Sequence, residues 1–212
     1  MQSYKIHFTD KNFLLSFFSA LGLLTISLVV QYYASFYVTR SVSEPVTDII
    51  LSNTRVWDVG DIFVYGALLL TGIGVVAGLR RPYSMPFVMK SIALFTLIRS
   101  FFVSLTHISP FPTRALIDST FFNHSWFSGI FTGNDLFFSG HTGVPFLLAL
   151  IFWEYKTLRY IFLSFSIVFA FVVLLGHLHY SIDVASAYFI TYSIFHLCQV
   201  LFKKDWGLFL KK

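Results

Sequence analysis

Charged residues and cysteine are scarce in this sequence. Only 12% of its 212 residues are charged, whereas 56% are hydrophobic and 27 are phenylalanine. A soluble domain carries roughly a quarter charged residues, so this composition excludes an ordinary soluble globule and indicates that a bilayer is the solvent. The one cysteine, Cys198, excludes an internal disulfide and a cysteine-based zinc cluster. Because Cys198 lies in an apolar run, we expect a small buried side chain there.

The apolar residues form six runs, most of them near the roughly 20 residues that a helix needs to cross the hydrocarbon core. Lipid cannot satisfy free backbone N–H and C=O groups, so these runs must be helical. The sequence therefore predicts an all-α, polytopic membrane protein in which residues 1–212 form one domain with six transmembrane helices. The spans are expected at about 13–38, 62–79, 86–106, 140–155, 158–176 and 182–202. The fourth run is the shortest, and we expect its helix to extend into the preceding residues.

The basic residues predict the orientation of the chain. Ten of the 15 lysines and arginines flank the spans on one side, whereas Arg40, Arg55 and Arg114 lie on the other. The positive-inside rule then places both termini in the cytoplasm and the two long loops on the opposite side. Although the net charge is +5, the basic residues form no stripe with interleaved aromatics, so no nucleic-acid partner is expected. The short chain and slim outer loop suggest a bacterial inner membrane.

Histidines gather on the side opposite the basic residues. Five of the seven lie there or at span ends facing it, namely His107, His124, His141, His177 and His179. His141 follows Ser139 and Gly140 at the start of the fourth span, where the N-terminus of a helix favours an anion. A histidine at this point can touch a bound phosphate.

A second motif comes at the start of the sixth span. His179 and Asp183 are four residues apart, so a helix places them on one face. Asp183 can then fix the tautomer of His179 and leave the other ring nitrogen free to attack. Arg99 lies inside the third span, where a charge marks a functional site by default, and its guanidinium suits phosphate oxygens.

Together these residues predict phosphoryl transfer. His179 would attack phosphorus to give a phosphohistidine, and His141 would act as acid and then as base. Arg99 and the backbone of Ser139 and Gly140 would stabilise the charge on the phosphoryl oxygens. No metal or other cofactor is required by this scheme.

Other interpretations of the histidines stay open. A lone histidine is more often structural, and His196, in mid-span with no partner nearby in sequence, fits that description. A His–Asp pair spaced by four residues is by itself more often a helix cap or packing feature. A zinc site is a less favoured alternative, because no H-E-x-x-H spacing appears. In a non-catalytic transporter or scaffold with six spans, the histidines would be exchangeable for glutamine.

Three stretches of the chain match a known set of motifs. Residues 133–142 are similar to G-D-Y-L-F-S-G-H-T, residues 177–184 followed by Ala187-Tyr188 to H-x-H-Y-T-x-D-V…A-Y, and Arg99 with Thr106, Pro110 and Pro112 to R-x6-T-x-L-P-x-P. By these motifs, their order and the six-span layout, the chain resembles the sphingomyelin synthase family. That family is a branch of the type 2 phosphatidic acid phosphatase (PAP2) superfamily. The resemblance covers roughly the last half of the chain.

The resemblance implies a transferase that moves a phosphocholine or phosphoethanolamine group. The donor would be a phospholipid and the acceptor a ceramide or similar lipid alcohol. It implies a catalytic triad of His141, His179 and Asp183. The expected phosphate- or substrate-binding residues are Arg99, Thr106, Asp135, Ser139, Gly140 and His177.

The sequence also departs from these motifs. Leu136 stands where the family has tyrosine, and the loop over residues 112–135 is shorter than in the animal enzymes. The lipid phosphatases of the superfamily usually carry a Lys-x6-Arg-Pro motif, which Lys90 and Arg99 do not match in spacing. They also carry Ser-Arg before the second histidine, and no arginine lies between Arg159 and His179. These differences favour the synthase-like branch, with hydrolysis by water as the alternative.

Overall fold

The computed structural model describes residues 10–117 and 136–210. Within them the chain is helical, without strands, and two short 3₁₀ turns lie at Leu51–Asn53 and Pro82–Ser84. The α-helices are α1 (Lys11–Arg40), α2 (Gly60–Arg80), α3 (Met85–Thr106), α4 (Gly140–Ile151), α5 (Lys156–Leu175), α6 (Ser181–Leu201) and α7 (Lys203–Leu210). The predicted all-α, polytopic membrane architecture is confirmed.

Five of these helices, α1, α2, α3, α5 and α6, are long and apolar enough to cross a membrane. Their bounds agree with five of the predicted spans to within a few residues. Between 17% and 33% of the most apolar window of each is buried inside the protein. The remaining apolar surface of each helix is therefore left for lipid, which is the arrangement expected when the solvent is a bilayer.

The fourth predicted span is shorter than expected. α4 has 12 residues, so it rises about 18 Å, less than the roughly 30 Å of the hydrocarbon core. The expected extension into the preceding residues is wrong, because Ser139 caps the helix and its Oγ accepts a hydrogen bond from the N–H of Thr142. Eight of the twelve residues are buried. α4 is thus the central helix of the bundle, packed against α5 and α6.

The bundle has two ends with different chemistry. Loops and helix ends meet at the histidine end, where the N–H of Ser43 donates to the carbonyl of His107 and that of Ala115 to the carbonyl of Gly176. These bonds hold the loops after α1 and α3 against the α3 and α5 termini. We use "histidine end" for this face, which also holds the starts of α4 and α6.

The opposite face, the basic end, is closed by α7, which the sequence analysis did not predict. Aromatic side chains of α7 pack against the end of α4 and against α3. The ring of Phe209 lies 5.8 Å from that of Phe152, and the ring of Trp206 lies 4.8 Å from that of Phe87. The sequence around α7 carries no strong local pattern that predicts a helix, because the residues that stabilise α7 lie on other helices.

Candidate active site

His179, two residues before α6 begins, and Asp183, in the first turn of α6, lie close together and are both buried. The Nδ1 atom of His179 is 3.4 Å from Oδ2 of Asp183, and the contact does not meet hydrogen-bond geometry. The same oxygen accepts a hydrogen bond of 3.0 Å from the N–H of Tyr180, which holds the carboxylate in place at the helix N-terminus. A small rotation of the imidazole would close the His–Asp contact, as catalytic hydrogen bonds often tighten only when substrate binds.

The start of α4 is tied to this pair through the backbone. The N–H of Ser139 donates to the carbonyl of Asp183 over 3.1 Å, so the Ser-Gly-His turn and the His–Asp pair occupy the same end of the bundle. This bond uses the N–H of Ser139, and its hydroxyl accepts from Thr142. In this arrangement Ser139 shapes the turn, and its N–H is not available to a phosphate.

His141 sits between two aromatic rings. The ring of Phe63, from α2, lies 3.9 Å from the imidazole centre at an interplanar angle of 32°. The ring of Phe169, from α5, meets it edge-on at 5.5 Å. These contacts restrict the rotation of the imidazole and fix the direction in which its nitrogens point.

Arg99 reaches the same turn from α3. It is 9% exposed, and its Nε donates a 2.8 Å hydrogen bond to the carbonyl of Phe138. A Cβ atom at Gly140 would lie 3.4 Å from that Nε, so the absence of a side chain at Gly140 lets the guanidinium pack against the turn. Lys90, nine residues earlier on α3, lies at the basic end and pairs with Asp205 at 2.7 Å, far from the histidines.

His177 is also at this end, but both of its ring nitrogens are engaged by threonines. Nε2 lies 3.3 Å from the hydroxyl of Thr54 and Nδ1 lies 2.6 Å from that of Thr113. Since the Thr54 hydroxyl donates to the carbonyl of Ile50, it accepts from Nε2, and Nδ1 accepts from Thr113. His177 therefore joins the loops after α1 and α3 rather than presenting a nitrogen to a phosphate.

The other predicted residues have different outcomes. The hydroxyl of Thr106 bonds to its own helix, 3.2 Å from the carbonyl of Phe102. Asp135 and His124 lie outside the described residues. His196 lies near the opposite end of α6, exposed, with its Nδ1 3.1 Å from Oε1 of Gln199.

Sequence reasoning missed two buried polar residues beside the site. Asp48, in the loop after α1, accepts from the N–H groups of Ile50 and Leu51, and from that of Ser181 at 2.7 Å. Tyr180 donates its hydroxyl to the carbonyl of Ser109 at 2.7 Å. Both residues fasten outer loops to the start of α6, and no motif around Asp48 revealed this long-range contact.

These interactions shift ionisation at the histidine end. Burial raises the pKa of Asp48, but the hydrogen bonds that its carboxylate accepts lower the pKa by more, so it is lowered overall. These bonds come from the backbone of Leu51, the backbone and side chain of Ser181 and the backbone of Ile50. Burial lowers the pKa of His177, which the charge of Asp48 only partly offsets. Burial also raises the pKa of Tyr180. The hydrogen bond from the N–H of Val46 lowers this pKa, but the charges of Asp183 and Asp48 raise it further, so it is raised overall. At neutral pH the cluster thus holds an ionised Asp48 and a neutral His177.

Among the described residues, no group of three or more His, Cys, Asp or Glu side chains is arranged to hold a metal ion. The zinc alternative thus finds no ligand set within residues 10–117 and 136–210. The polar groups that converge at the histidine end are instead an imidazole–carboxylate pair, a second imidazole and a guanidinium. Such a set can attack, protonate and hold a phosphoryl group.

The fold defines a polytopic helical membrane protein. Comparison with protein families matched residues 132–200 to the family described as PAP2 superfamily C-terminal. This segment covers about a third of the chain and contains the Ser-Gly-His turn, α4, α5 and most of α6. It supports a relation to the PAP2 superfamily. Searches of curated proteins and of solved structures each found no match.

Proposed function

We propose that this protein moves a phosphocholine or phosphoethanolamine head group from a phospholipid to a lipid alcohol, through a phosphohistidine on His179. One observation carries the proposal: the bond from Ser139 to the Asp183 carbonyl brings His141 and the His179–Asp183 pair to one end of the bundle. The phosphoryl chemistry agrees with the PAP2 match. The choice of transfer, and of these head groups, rests on the motif resemblance.

The first half-reaction breaks the bond between phosphorus and the diacylglycerol oxygen. The Nε2 atom of His179 supplies the electron pair for the new N–P bond, while Asp183 stabilises the proton on Nδ1. Protonated His141 gives its proton to the departing diacylglycerol oxygen. The head group, with its phosphoryl oxygens, is then held on His179.

The second half-reaction reverses these roles with a new alcohol. Neutral His141 takes the proton of the acceptor hydroxyl, and the resulting oxygen attacks phosphorus as the N–P bond breaks. The electron pair returns to His179, and His141 is again protonated for the next turnover. If water entered instead of the lipid alcohol, the same steps would give hydrolysis.

Charge on the phosphoryl oxygens is stabilised by Arg99 and by the N-terminus of α4. Because Nε of Arg99 is held by the Phe138 carbonyl, the terminal nitrogens of the guanidinium are oriented as a fixed fork. The first turn of α4 adds the positive end of a helix dipole. We place this site at the non-cytoplasmic membrane face, because ten basic residues flank the opposite side against three on this one.

A lipid-product assay tests the proposal. The purified full chain is given phosphatidylcholine, phosphatidylethanolamine or phosphatidic acid, with and without ceramide, and product masses are measured. Transfer yields diacylglycerol together with the head-group-bearing ceramide, whereas hydrolysis yields a water-soluble phosphate compound. With a donor labelled at phosphorus, an acid-labile label on the protein marks the phosphohistidine.

Two histidine variants make the assay specific. His179→Ala removes the nucleophile and should abolish both product and protein-bound label, whereas His196→Ala, at the far end of α6, should keep them. Full turnover by His179→Ala would exclude the covalent mechanism. If only hydrolysis products form when ceramide is present, the protein is a phosphatase or phospholipase C-like enzyme and not a transferase.

A further inference from the structure

A second polar region lies at the basic end, away from the histidines. It is a cavity of about 590 Å³, open to the surface, which we call the Lys90 cavity. Its lining residues are Lys90, Leu201, Phe202, Lys203, Lys204 and Asp205. The cavity is formed where α6 ends and α7 begins, beside the first turns of α3.

Lys90 is the most enclosed cation of this cavity. Its side chain is 13% exposed, and Nζ lies 2.7 Å from Oδ2 of Asp205. Nζ also donates to the hydroxyl of Ser16, from α1, at 3.2 Å. An ammonium group has three N–H donors, so one is left without a hydrogen-bond acceptor among the described residues.

The charges around the cavity do not balance. Lys203 and Lys204 are exposed at its rim, and with Lys90 they oppose the one carboxylate of Asp205. The excess is two positive charges. Since Asp205 is already bound by Lys90 and by the Ser16 hydroxyl, Lys203 and Lys204 are available to an anion from outside the protein.

The remaining wall of the cavity is apolar. Leu201 is 60% exposed, and Val200, one residue earlier on α6, is 74% exposed. These side chains continue the lipid-facing surface of α6 directly from the cavity. A ligand that fits both parts has an anionic head and an apolar tail attached to it.

We propose that the Lys90 cavity binds the head group of an anionic phospholipid from the leaflet at the basic end. The phosphate lies against Lys203 and Lys204 and accepts a hydrogen bond from the remaining N–H of Lys90. An acyl chain of the same lipid runs along Leu201 and Val200. Basic pockets between transmembrane helices are a recurrent form of lipid recognition. The bound lipid fastens α7 to α3 and α6, and its binding does not depend on the reaction at the histidine end.

Binding is measured by thermal unfolding of the full chain in micelles. Phosphatidylglycerol is titrated into micelles of an uncharged detergent, and we expect the melting temperature to rise with a saturable dependence. Lys203→Gln/Lys204→Gln should weaken the apparent affinity for phosphatidylglycerol by about tenfold or more. Both side chains are exposed, so the variant should fold.

A matched variant separates a site from general surface charge. Lys156→Gln/Arg159→Gln removes two charges from the same end of the bundle but outside the cavity, and should keep the response to phosphatidylglycerol. Equal loss in both double variants, or no response in the parent protein, would overturn the proposal. A titration with inorganic phosphate is expected to leave the melting temperature unchanged, and an equal rise with phosphate would show a small-anion site instead of a lipid site.

Discussion

The N–H of Ser139 is bound to the carbonyl of Asp183 over 3.1 Å, and this one bond joins the two motif-bearing helix starts. Three of the contacts of Asp183 bear on the site: its carbonyl holds the α4 turn, its carboxylate caps α6 through Tyr180, and that carboxylate lies beside Nδ1 of His179. The geometry of one motif therefore depends on the other. Their common placement is what makes a single phosphoryl site reasonable.

Asp183→Asn is expected to lower turnover by about two orders of magnitude or more, as losing an orienting carboxylate does in other imidazole sites. The reason is that the oxygen beside Nδ1, which also accepts from the N–H of Tyr180, becomes part of a neutral amide. A neutral amide stabilises the proton on Nδ1 of the phosphohistidine less than a carboxylate does. An asparagine oxygen can still accept from the Tyr180 N–H, so the melting temperature should change little. Product formation and thermal unfolding are measured on the same preparation, with Asn53→Ala in the loop after α1 as a surface control. Unchanged turnover would remove Asp183 from the mechanism.

Arg99→Lys should reduce turnover about tenfold or more, although it keeps the charge. Lysine has no counterpart of the Nε–H that Arg99 gives to Phe138, so a single ammonium cannot hold the turn and a phosphate together. The exchange in the other direction, Lys90→Arg at the basic end, keeps the ion pair with Asp205 and should be tolerated in the product assay. Equal activity of parent and Arg99→Lys would show that Arg99 serves only as a point charge.

The sequence predicted the parts of this structure that depend on local pattern. Five spans follow from apolar runs. The sequence also predicted that His179 and Asp183 lie close together, but His179 precedes α6, so the contact arises from the turn that leads into the helix and not from one helix face. The short α4 could not be predicted from hydropathy, because its shielding by α5 and α6 is a property of the packed bundle. The roles of Asp48 and of His177 were likewise hidden, since their partners lie far away in sequence: Ser181 is 133 residues from Asp48, and Thr54 is 123 residues from His177.

Acid should loosen the loops at the histidine end. Burial lowers the pKa of His177 below its ordinary 6.5, so below this pH the unfolded chain takes up a proton that the folded chain does not. The free energy of unfolding is therefore highest above pH 6.5 and falls as the pH decreases toward the folded-state pKa. The pKa of Asp48 is lowered from 3.8, so its protonation reduces the free energy of unfolding further only below pH 3.8.

Hydrogen exchange of the loops after α1 and α3 measures this effect between pH 7 and pH 5, after correction for intrinsic exchange. Protection should fall with pH in the parent protein, and His177→Gln should remove most of the dependence. His196→Gln, at the far end of α6, should leave it intact. A dependence that survives in His177→Gln would assign the acid sensitivity to another group.

Gly143→Ala should weaken both the fold and the reaction, because Gly143 on α4 packs directly against side chains of α3 and α6. A Cβ atom there would be 2.7 Å from the Phe95 ring and 2.8 Å from the Thr191 hydroxyl oxygen, closer than van der Waals contact permits. Overpacking of this kind typically lowers the free energy of unfolding by about 1–3 kcal/mol. Displacement of α4 would also move His141 relative to His179, so turnover should fall further than the loss of folded protein explains.

Gly72→Ala in α2 is the matched control: a Cβ there meets nothing within 4 Å, and alanine should raise stability slightly, since glycine is the weaker helix former. Thermal unfolding and specific activity are compared for the two variants. If both behaved alike, close packing at Gly143 would not be what positions the Ser-Gly-His turn.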